Sequence, residues 1–177
     1  SNISSVLDAN NKAVFDLRKE SDLTLKNVQI VSAKSDSGSV IKAINPNSQI
    51  TIDNGNFIGN IAASSGGVIS NSSTNNANKI NGIFTANKAG SSGGAIFNQG
   101  NINSISGEFT SNHTTNSWAT GKVVGGAIAN KGGTINSITA DFNSNYSDQY
   151  GGAIANFGEN DVSPTINSIS GNFNNNY

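Results

Sequence analysis

The sequence contains no cysteine, two prolines and few charged residues. Its 177 residues are 12% charged and carry a net charge of −1, so the charged fraction is about half of what soluble domains usually have. The absence of cysteine excludes a disulfide framework, and a single histidine argues against a transition-metal site. Because no basic patch is present to neutralise phosphates, nucleic acid is not expected as a partner.

Two further features are missing from the chain. No apolar run approaches the length needed to cross a bilayer, and no signal peptide is recognisable. These absences predict that the chain is a fragment of a larger protein. Its low net charge is unlike that of typical disordered chains. Asn, Ser, Gly and Thr are abundant, which favours a fold whose surface is made of uncharged polar side chains and turns.

Two short motifs alternate along the chain. The first, Gly-Gly-Ala-Ile or a close variant, occurs at Gly66-Gly67-Val68-Ile69, Gly93-Gly94-Ala95-Ile96, Gly125-Gly126-Ala127-Ile128 and Gly151-Gly152-Ala153-Ile154. The second, Phe-x-x-Asn, occurs at Phe57-x-x-Asn60, Phe84-x-x-Asn87, Phe109-x-x-Asn112, Phe142-x-x-Asn145 and Phe173-x-x-Asn176. The two motifs recur about every 27 residues. Repeats of this length are typical of solenoids, so the sequence predicts an elongated stack of similar units rather than a globule around one central site.

The repeat covers almost the whole chain, so we predict one β-helical repeat domain over residues 1–177. Alignment on the two motifs gives units that start near Asn11, Gly38, Gly66, Gly93, Gly125 and Gly151. The steps between these starts are nearly equal, except for a longer one between Gly93 and Gly125. The first two units are degenerate but keep the apolar positions.

Each unit contains three short candidate strands. In the unit at Gly125 these are residues 126–130, 134–138 and 140–143, with a turn at 131–133 and at most a bend at Thr139. No segment has a sustained apolar period of 3.6 residues, so no helix is expected. The sequence therefore predicts an all-β fold, a right-handed parallel β-helix of about six coils with three short strands per coil.

Stacking of equivalent positions predicts inward columns of apolar side chains. One column contains Ile41, Ile69, Ile96, Ile128 and Ile154 and begins at Val14; a second contains Ile80, Ile105, Ile138 and Ile169; a third contains Phe57, Phe84, Phe109, Phe142 and Phe173 and begins at Ile30. A ladder of side-chain amides is predicted from Asn71, Asn98, Asn130 and Asn156. By strand alternation, the residue after each isoleucine of the first column, including Phe97, faces outward.

One loop is longer than its equivalents and is the predicted site of a specific contact. The stretch from the Phe-x-x-Asn phenylalanine to the next Gly-Gly is longest between Phe109 and Gly125. The extra segment, residues 113–124, contains His113, Trp118 and Lys122, which are the candidate ligand-binding residues. Loops on a rigid scaffold often carry function, and tryptophan is favoured at binding hot spots. The alternative is a tolerated insertion whose tryptophan packs back on the rod.

Catalysis has little support in the sequence. Glycan-active β-helix enzymes need clustered acidic or basic residues in a groove, whereas the carboxylates here are scattered. Glu108 and Asp141 are equivalent positions in adjacent units, and a pair of carboxylates about 5 Å apart could serve a retaining glycosidase. A single such pair is more often a coincidence of the surface, so we expect no enzyme, no cofactor and no metal site.

The alternating motifs resemble those of chlamydial polymorphic membrane proteins and, more broadly, of type V autotransporter passenger domains. The resemblance covers residues 11–177. It implies a β-helical passenger on the surface of a Gram-negative bacterium, anchored in the outer membrane through a C-terminal barrel that this chain lacks. It also implies an adhesin that binds a host-cell receptor or glycan, with the repeated motifs themselves involved in adhesion.

Several points stay open within that resemblance. In one alternative the motif residues bind a ligand; in the other they only form the core and the turns. The chain lacks the cysteines common in chlamydial members, so another bacterium's autotransporter fits equally well. A structural stalk or a self-associating filament is the alternative function, because the open ends of a β-helix expose unpaired backbone edges.

Overall fold

The fold is an all-β solenoid. The computed structural model describes residues 3, 5–44, 47–72, 75–115, 122–158 and 161–177, which form twenty strands and no helix. Within these residues no segment could cross a membrane as a helix. Because every strand pair is parallel and joins residues about one repeat apart, the chain winds as a β-helix.

Three parallel sheets run along the rod, and each complete coil contributes one region to each sheet. The long-strand sheet contains β1 (Ser5–Asp8), β3 (Asp22–Val31), β6 (Gln49–Ile58), β9 (Asn76–Thr85), β12 (Asn101–Thr110), β15 (Thr134–Asn143), β18 (Thr165–Ile166), β19 (Ile169–Ser170) and β20 (Phe173–Asn174). The motif sheet contains β2 (Phe15–Leu17), β5 (Ile41–Ala43), β8 (Ile69–Asn71), β11 (Ile96–Asn98), β14 (Ile128–Lys131) and β17 (Ile154–Phe157). The two-residue sheet contains β4 (Lys34–Ser35), β7 (Ile61–Ala62), β10 (Lys88–Ala89), β13 (His113–Thr114) and β16 (Tyr146–Ser147).

The core consists of stacked columns, as the sequence predicted. Ile96 lies between Ile69 and Ile128 in the motif sheet. Ile105 lies between Ile80 and Ile138 in the long-strand sheet. The phenylalanine column is a continuous stack in which neighbouring ring centroids are 5.0, 4.6, 5.1 and 4.8 Å apart. The fold class is therefore confirmed, with about six coils that each contribute to three sheets.

The first position of the isoleucine column was predicted wrongly. Phe15, not Val14, pairs with Ile41. The first unit lacks the double glycine that fixes the register in later units, so the alignment slipped by one residue. Such a slip exchanges the inner and outer faces of a strand.

The division of a coil into strands also differs from the prediction. Residues 134–138 and 140–143 form one strand, β15, which is continuous through Thr139. The third strand of the coil comes later, after Phe-x-x-Asn, and is only two residues long. The structure also contains an inward column that the sequence analysis did not predict. Its members are Leu23, Ile50, Ala77, Ile102, Ile135 and Ile166.

Candidate functional site

The asparagines of Phe-x-x-Asn form a buried ladder inside the rod. Asn87 shows the arrangement: its Nδ2 donates to the carbonyl of Phe57 at 3.0 Å and to Oδ1 of Asn112 at 2.9 Å. Its own Oδ1 accepts from the backbone N and Nδ2 of Asn60, both at 3.0 Å. Asn60, Asn87, Asn112 and Asn145 are all fully buried. These side chains hold neighbouring coils together and are inaccessible to a ligand.

A second amide ladder follows the motif sheet, as predicted. Asn71 donates to Asn98, Asn98 to Asn130 and Asn130 to Asn156, each at 2.8 Å. The ladder begins at Asn71 because the preceding coil has Ala43 at the equivalent position. The buried Oδ1 of Asn71 consequently has no hydrogen-bond partner.

The two glycines of the Gly-Gly motif are needed for different reasons. The first has a positive φ, as at Gly93 with +64°, a region that favours residues without a Cβ. The second lies against the next coil: a Cβ on Gly94 would be 2.0 Å from the carbonyl oxygen of Gly126. The motif therefore makes a tight corner between coils. Its isoleucines at 69, 96 and 128 are fully buried.

The last copies of the motifs are more accessible than the others. Gly151 and Phe173 are exposed, and Gly152, Ile154 and Asn176 are partly so. In the described structure no further coil covers them. Elsewhere, the repeated positions build the core and the corners.

Two of the three residues proposed as ligand contacts lie within the described residues, His113 in a strand and Lys122 outside any strand. His113 belongs to β13, where it pairs with Lys88 and Tyr146 on the neighbouring strands, so it lies on a regular coil and not in the inserted loop. Lys122 is exposed at the far end of the insertion. Trp118 lies outside the described residues, and its predicted contact role stays a prediction.

Lys122 lies beside a groove on the outer face of the motif sheet. Two adjoining concavities, of about 240 Å³ and about 420 Å³, share Lys122 and Phe157. We call this surface the aromatic groove; the side chains that characterise it are Phe97, Lys122, Lys131, Tyr150 and Phe157, with Ser64, Ser65, Ser91, Ser92 and Asn156 also lining it. Strand alternation predicted that Phe97 faces outward, but its partners were not recognised.

The groove forms where the large side chain of Phe97 is followed, on the next two coils, by two small side chains at the same outward position of the motif sheet. Phe97 pairs with Ala129, and Ala129 pairs with Ala155. The two alanines are buried, together with Val124, beneath Phe97 and Phe157. Phe157 belongs to a neighbouring column, next to Lys131. The alanines thus form an apolar floor, and the two phenylalanines stand at its sides.

The charge lining the groove is positive. Lys122 and Lys131 line it, whereas no Asp or Glu does so among the described residues. Two ion pairs of the described chain lie away from it: Arg18 with Asp16, and Lys79 with Asp53 at 2.7 Å. The lining residues that the structure describes therefore favour an anionic ligand.

The two candidate catalytic carboxylates lie outside the aromatic groove, and each accepts its own hydrogen bonds. Glu108 and Asp141 are neighbours in register, but each is engaged separately. Thr110 donates to Glu108 at 2.8 Å, while the backbone N and Nδ2 of Asn172 donate to Asp141 at 2.8 and 3.0 Å. Neither lines the aromatic groove. The described residues also contain no cluster of three or more His, Asp or Glu that could hold a metal ion.

A scan against protein-family models and searches of curated proteins and of solved structures found no match for this chain. The similarity to autotransporter passengers therefore rests on the motifs alone.

Proposed function

We propose that this chain is part of a non-catalytic bacterial adhesin of the autotransporter passenger type, displayed outside a Gram-negative cell through a barrel encoded elsewhere in the protein. The observation that supports this function best is the aromatic groove on the outside of a rigid rod. Partly accessible aromatic side chains around a concave surface are typical of binding sites. The partner is a receptor or glycan on host cells, or the surface of other bacteria.

The rod shape supports the proposal in a second way. Since neighbouring coils are held by buried amide ladders and stacked phenyl rings, the scaffold is stiff and can hold a weak binding site away from a cell surface. Many copies on one cell would then bind through avidity rather than through the affinity of one site.

The test is adhesion of beads coated with this protein to cultured epithelial cells, with excess soluble protein as competitor. We expect competed binding that the Phe97→Ala variant weakens. Alanine is the native residue at the next two positions of the same column, so the variant should keep the fold. Ile83→Ala is the control, because Ile83 is also an exposed apolar residue, 40% accessible, but lies on the long-strand sheet.

The result is read from both variants together. Binding no better than that of bare beads contradicts the adhesin function. Equal loss in Phe97→Ala and Ile83→Ala contradicts the assignment to the groove. A Trp118→Ala variant examines the inserted loop separately. A deletion of residues 114–122 is a poorer test of the loop, because it would also remove Thr114, a buried residue of β13.

A structural stalk or filament is the second candidate, favoured by the last coil of the described structure. Ile169 and Phe173 are 47% and 48% accessible there, and with Ile166 they line an open concavity of about 490 Å³. In the 177-residue protein, such a face can stack on a second copy. Sedimentation velocity distinguishes the two functions: a filament grows with protein concentration and is lost in the Ile169→Asp variant, whereas an adhesin binds cells as a monomer.

A further inference from the structure

We propose that the ligand of the aromatic groove is an anionic saccharide, a sugar chain that carries a carboxylate or a sulfate group. This inference rests on the proposed function and adds the chemical class of the ligand. Three properties of the groove support it: its aromatic walls, its polar rim and its charge.

The aromatic walls fit the apolar faces of sugar rings. Phe97 and Phe157 are half-buried, so packing against the alanine floor restrains their orientation while part of each ring stays accessible. Tyr150, 63% accessible, also lines the larger concavity. Such rings offer large contact areas at low entropic cost because few torsions must be fixed on binding.

The polar rim fits the hydroxyl groups of a sugar. Ser91 and Ser92 lie with their hydroxyl oxygens 3.2 Å apart, and Ser64 and Ser65 repeat the pair one coil earlier. Hydroxyls both donate and accept hydrogen bonds, as sugar hydroxyls do. Asn156 is the last member of its ladder and is exposed, so its Nδ2 faces no further asparagine within the described chain.

The charge of the groove selects the anionic members of this class. Lys122 lines both concavities, so an anionic group seated in either one lies near its ammonium. A lysine ammonium is a compact point charge that does not require a two-pronged acceptor. Both a carboxylate and a sulfate therefore satisfy it, and the two sources must be separated by experiment.

Over most of the groove, the backbone argues against a peptide bound by strand addition. Phe97 and Ala129 lie in β11 and β14, which are each paired on both sides and offer no edge to an added strand. Only β17, which carries Ala155 and Phe157, has an edge without a strand partner in the described structure.

The inference is tested by measuring direct binding of the 177-residue protein to three immobilised saccharides. These are sialyllactose for the carboxylate, a heparin-derived hexasaccharide for the sulfate, and lactose as the neutral reference. We expect at least one anionic saccharide to bind about tenfold more tightly than lactose. Phe97→Ala should weaken that binding by up to about tenfold, and Lys122→Gln by about two- to fivefold.

Lys26→Gln is the matched control for charge. Lys26 is exposed like Lys122 but lies in β3, on the long-strand sheet. Its removal should leave binding unchanged, although both variants lower the net charge equally. Equal binding of all three saccharides overturns the inference, and so does an equal effect of Lys122→Gln and Lys26→Gln.

A cell experiment separates this inference from the proposed function. Cells are treated with sialidase or with heparinase before the bead assay. Loss of Phe97-dependent adhesion supports the anionic saccharide, and the effective enzyme identifies its source. If Phe97-dependent adhesion survives both enzymes and none of the saccharides binds, the assignment of an anionic saccharide is wrong, but the adhesin function is retained. If an anionic saccharide binds but no competed adhesion is seen, the adhesin fails and the binding site stands.

Discussion

At the residue scale, each internal position of the buried asparagine ladder requires an asparagine side chain. Each internal amide accepts from one coil and donates to the next, so no apolar residue of similar size can replace it. Replacing Asn87 by alanine leaves the backbone N of Asn60 and the carbonyl of Phe57 without their partners. We expect Asn87→Ala to lower the free energy of unfolding by about 3 kcal/mol, since an orphaned buried polar group costs about 1–3 kcal/mol.

The control for this prediction is Asn136→Ala. Asn136 also belongs to an amide ladder, in which it donates to Asn103 and accepts from Asn167, both at 3.0 Å. That ladder is exposed, so water can replace the lost partners, and the expected change is within about 0.5 kcal/mol. Urea denaturation of both variants measures the difference. Equal losses would contradict the claim that burial makes the loss of these partners costly.

A second prediction at this scale concerns His113 and pH. Burial lowers the pKa of the half-buried imidazole, and the ammonium of Lys88 acts in the same direction, while the Ser111 backbone and the carboxylate of Asp148 oppose them. Below about pH 6.5, the ordinary pKa of histidine, the unfolded state therefore binds more protons than the folded state. Stability should be complete above that pH and should fall as the pH drops below it.

The His113→Gln variant isolates this contribution, because the carboxylates titrate alike in both proteins. Urea denaturation at about pH 7.5 and about pH 5.5 should show a larger loss of stability for the native protein than for the variant. Identical losses would mean that the imidazole is hydrated in the folded state.

At the scale of the element, the Gly-Gly corner should be the least tolerant connection in a coil. A Cβ on Gly94 would lie 2.0 Å from the carbonyl oxygen of Gly126 and 2.6 Å from the backbone N of His113. Because all of these atoms are backbone, none can move aside cheaply. We expect Gly94→Ala to cost more than about 3 kcal/mol or to prevent folding, in line with other severe packing clashes.

Gly59→Ala is the matched control for the corner. Gly59 has a positive φ of 64°, like Gly93, but nothing lies within 4 Å of its would-be Cβ. Its substitution should cost only the backbone strain of about 1–2 kcal/mol. Thermal unfolding followed by circular dichroism compares the two; a milder effect at Gly94 than at Gly59 would contradict the close approach of the coils.

The elements also show where the sequence was informative. The isoleucine and phenylalanine columns could be predicted because one apolar residue recurs at one offset in every unit. The two-residue sheet could not, because a strand such as Lys88–Ala89 is too short to show alternation. The signal that could have found it is the small buried residue at its second position, as in Ala62, Ala89, Thr114 and Ser147.

The aromatic groove was only partly predictable for a related reason. Strand alternation placed Phe97 outside, since it follows an inward isoleucine. Phe157 comes from a later coil, in β17 rather than β11, and from a different column. No periodicity relates the two residues, and only the small size of Ala129 and Ala155 between them makes a groove.

At the scale of the molecule, a solenoid should show stability that depends on position along the rod. Each coil contacts only its neighbours, so an internal coil is supported on two sides and a terminal coil on one. Phe109 stacks on rings at both sides, with centroid distances of 4.6 and 5.1 Å, and is fully buried. Phe173 stacks on one ring, at 4.8 Å, and is 48% accessible.

The same substitution at these two positions should therefore have different costs. We expect Phe109→Ala to cost about 3–5 kcal/mol, as is usual for a buried phenylalanine, and Phe173→Ala about 1 kcal/mol, because half of its surface already contacts water. Urea denaturation gives both values. Hydrogen exchange should also show that the backbone amides of β20 exchange faster than those of β12, because the terminal coil can unfold locally while the other coils stay folded. Equal costs together with uniform exchange would mean that the rod unfolds only as one unit, because then no coil could open independently of its neighbours.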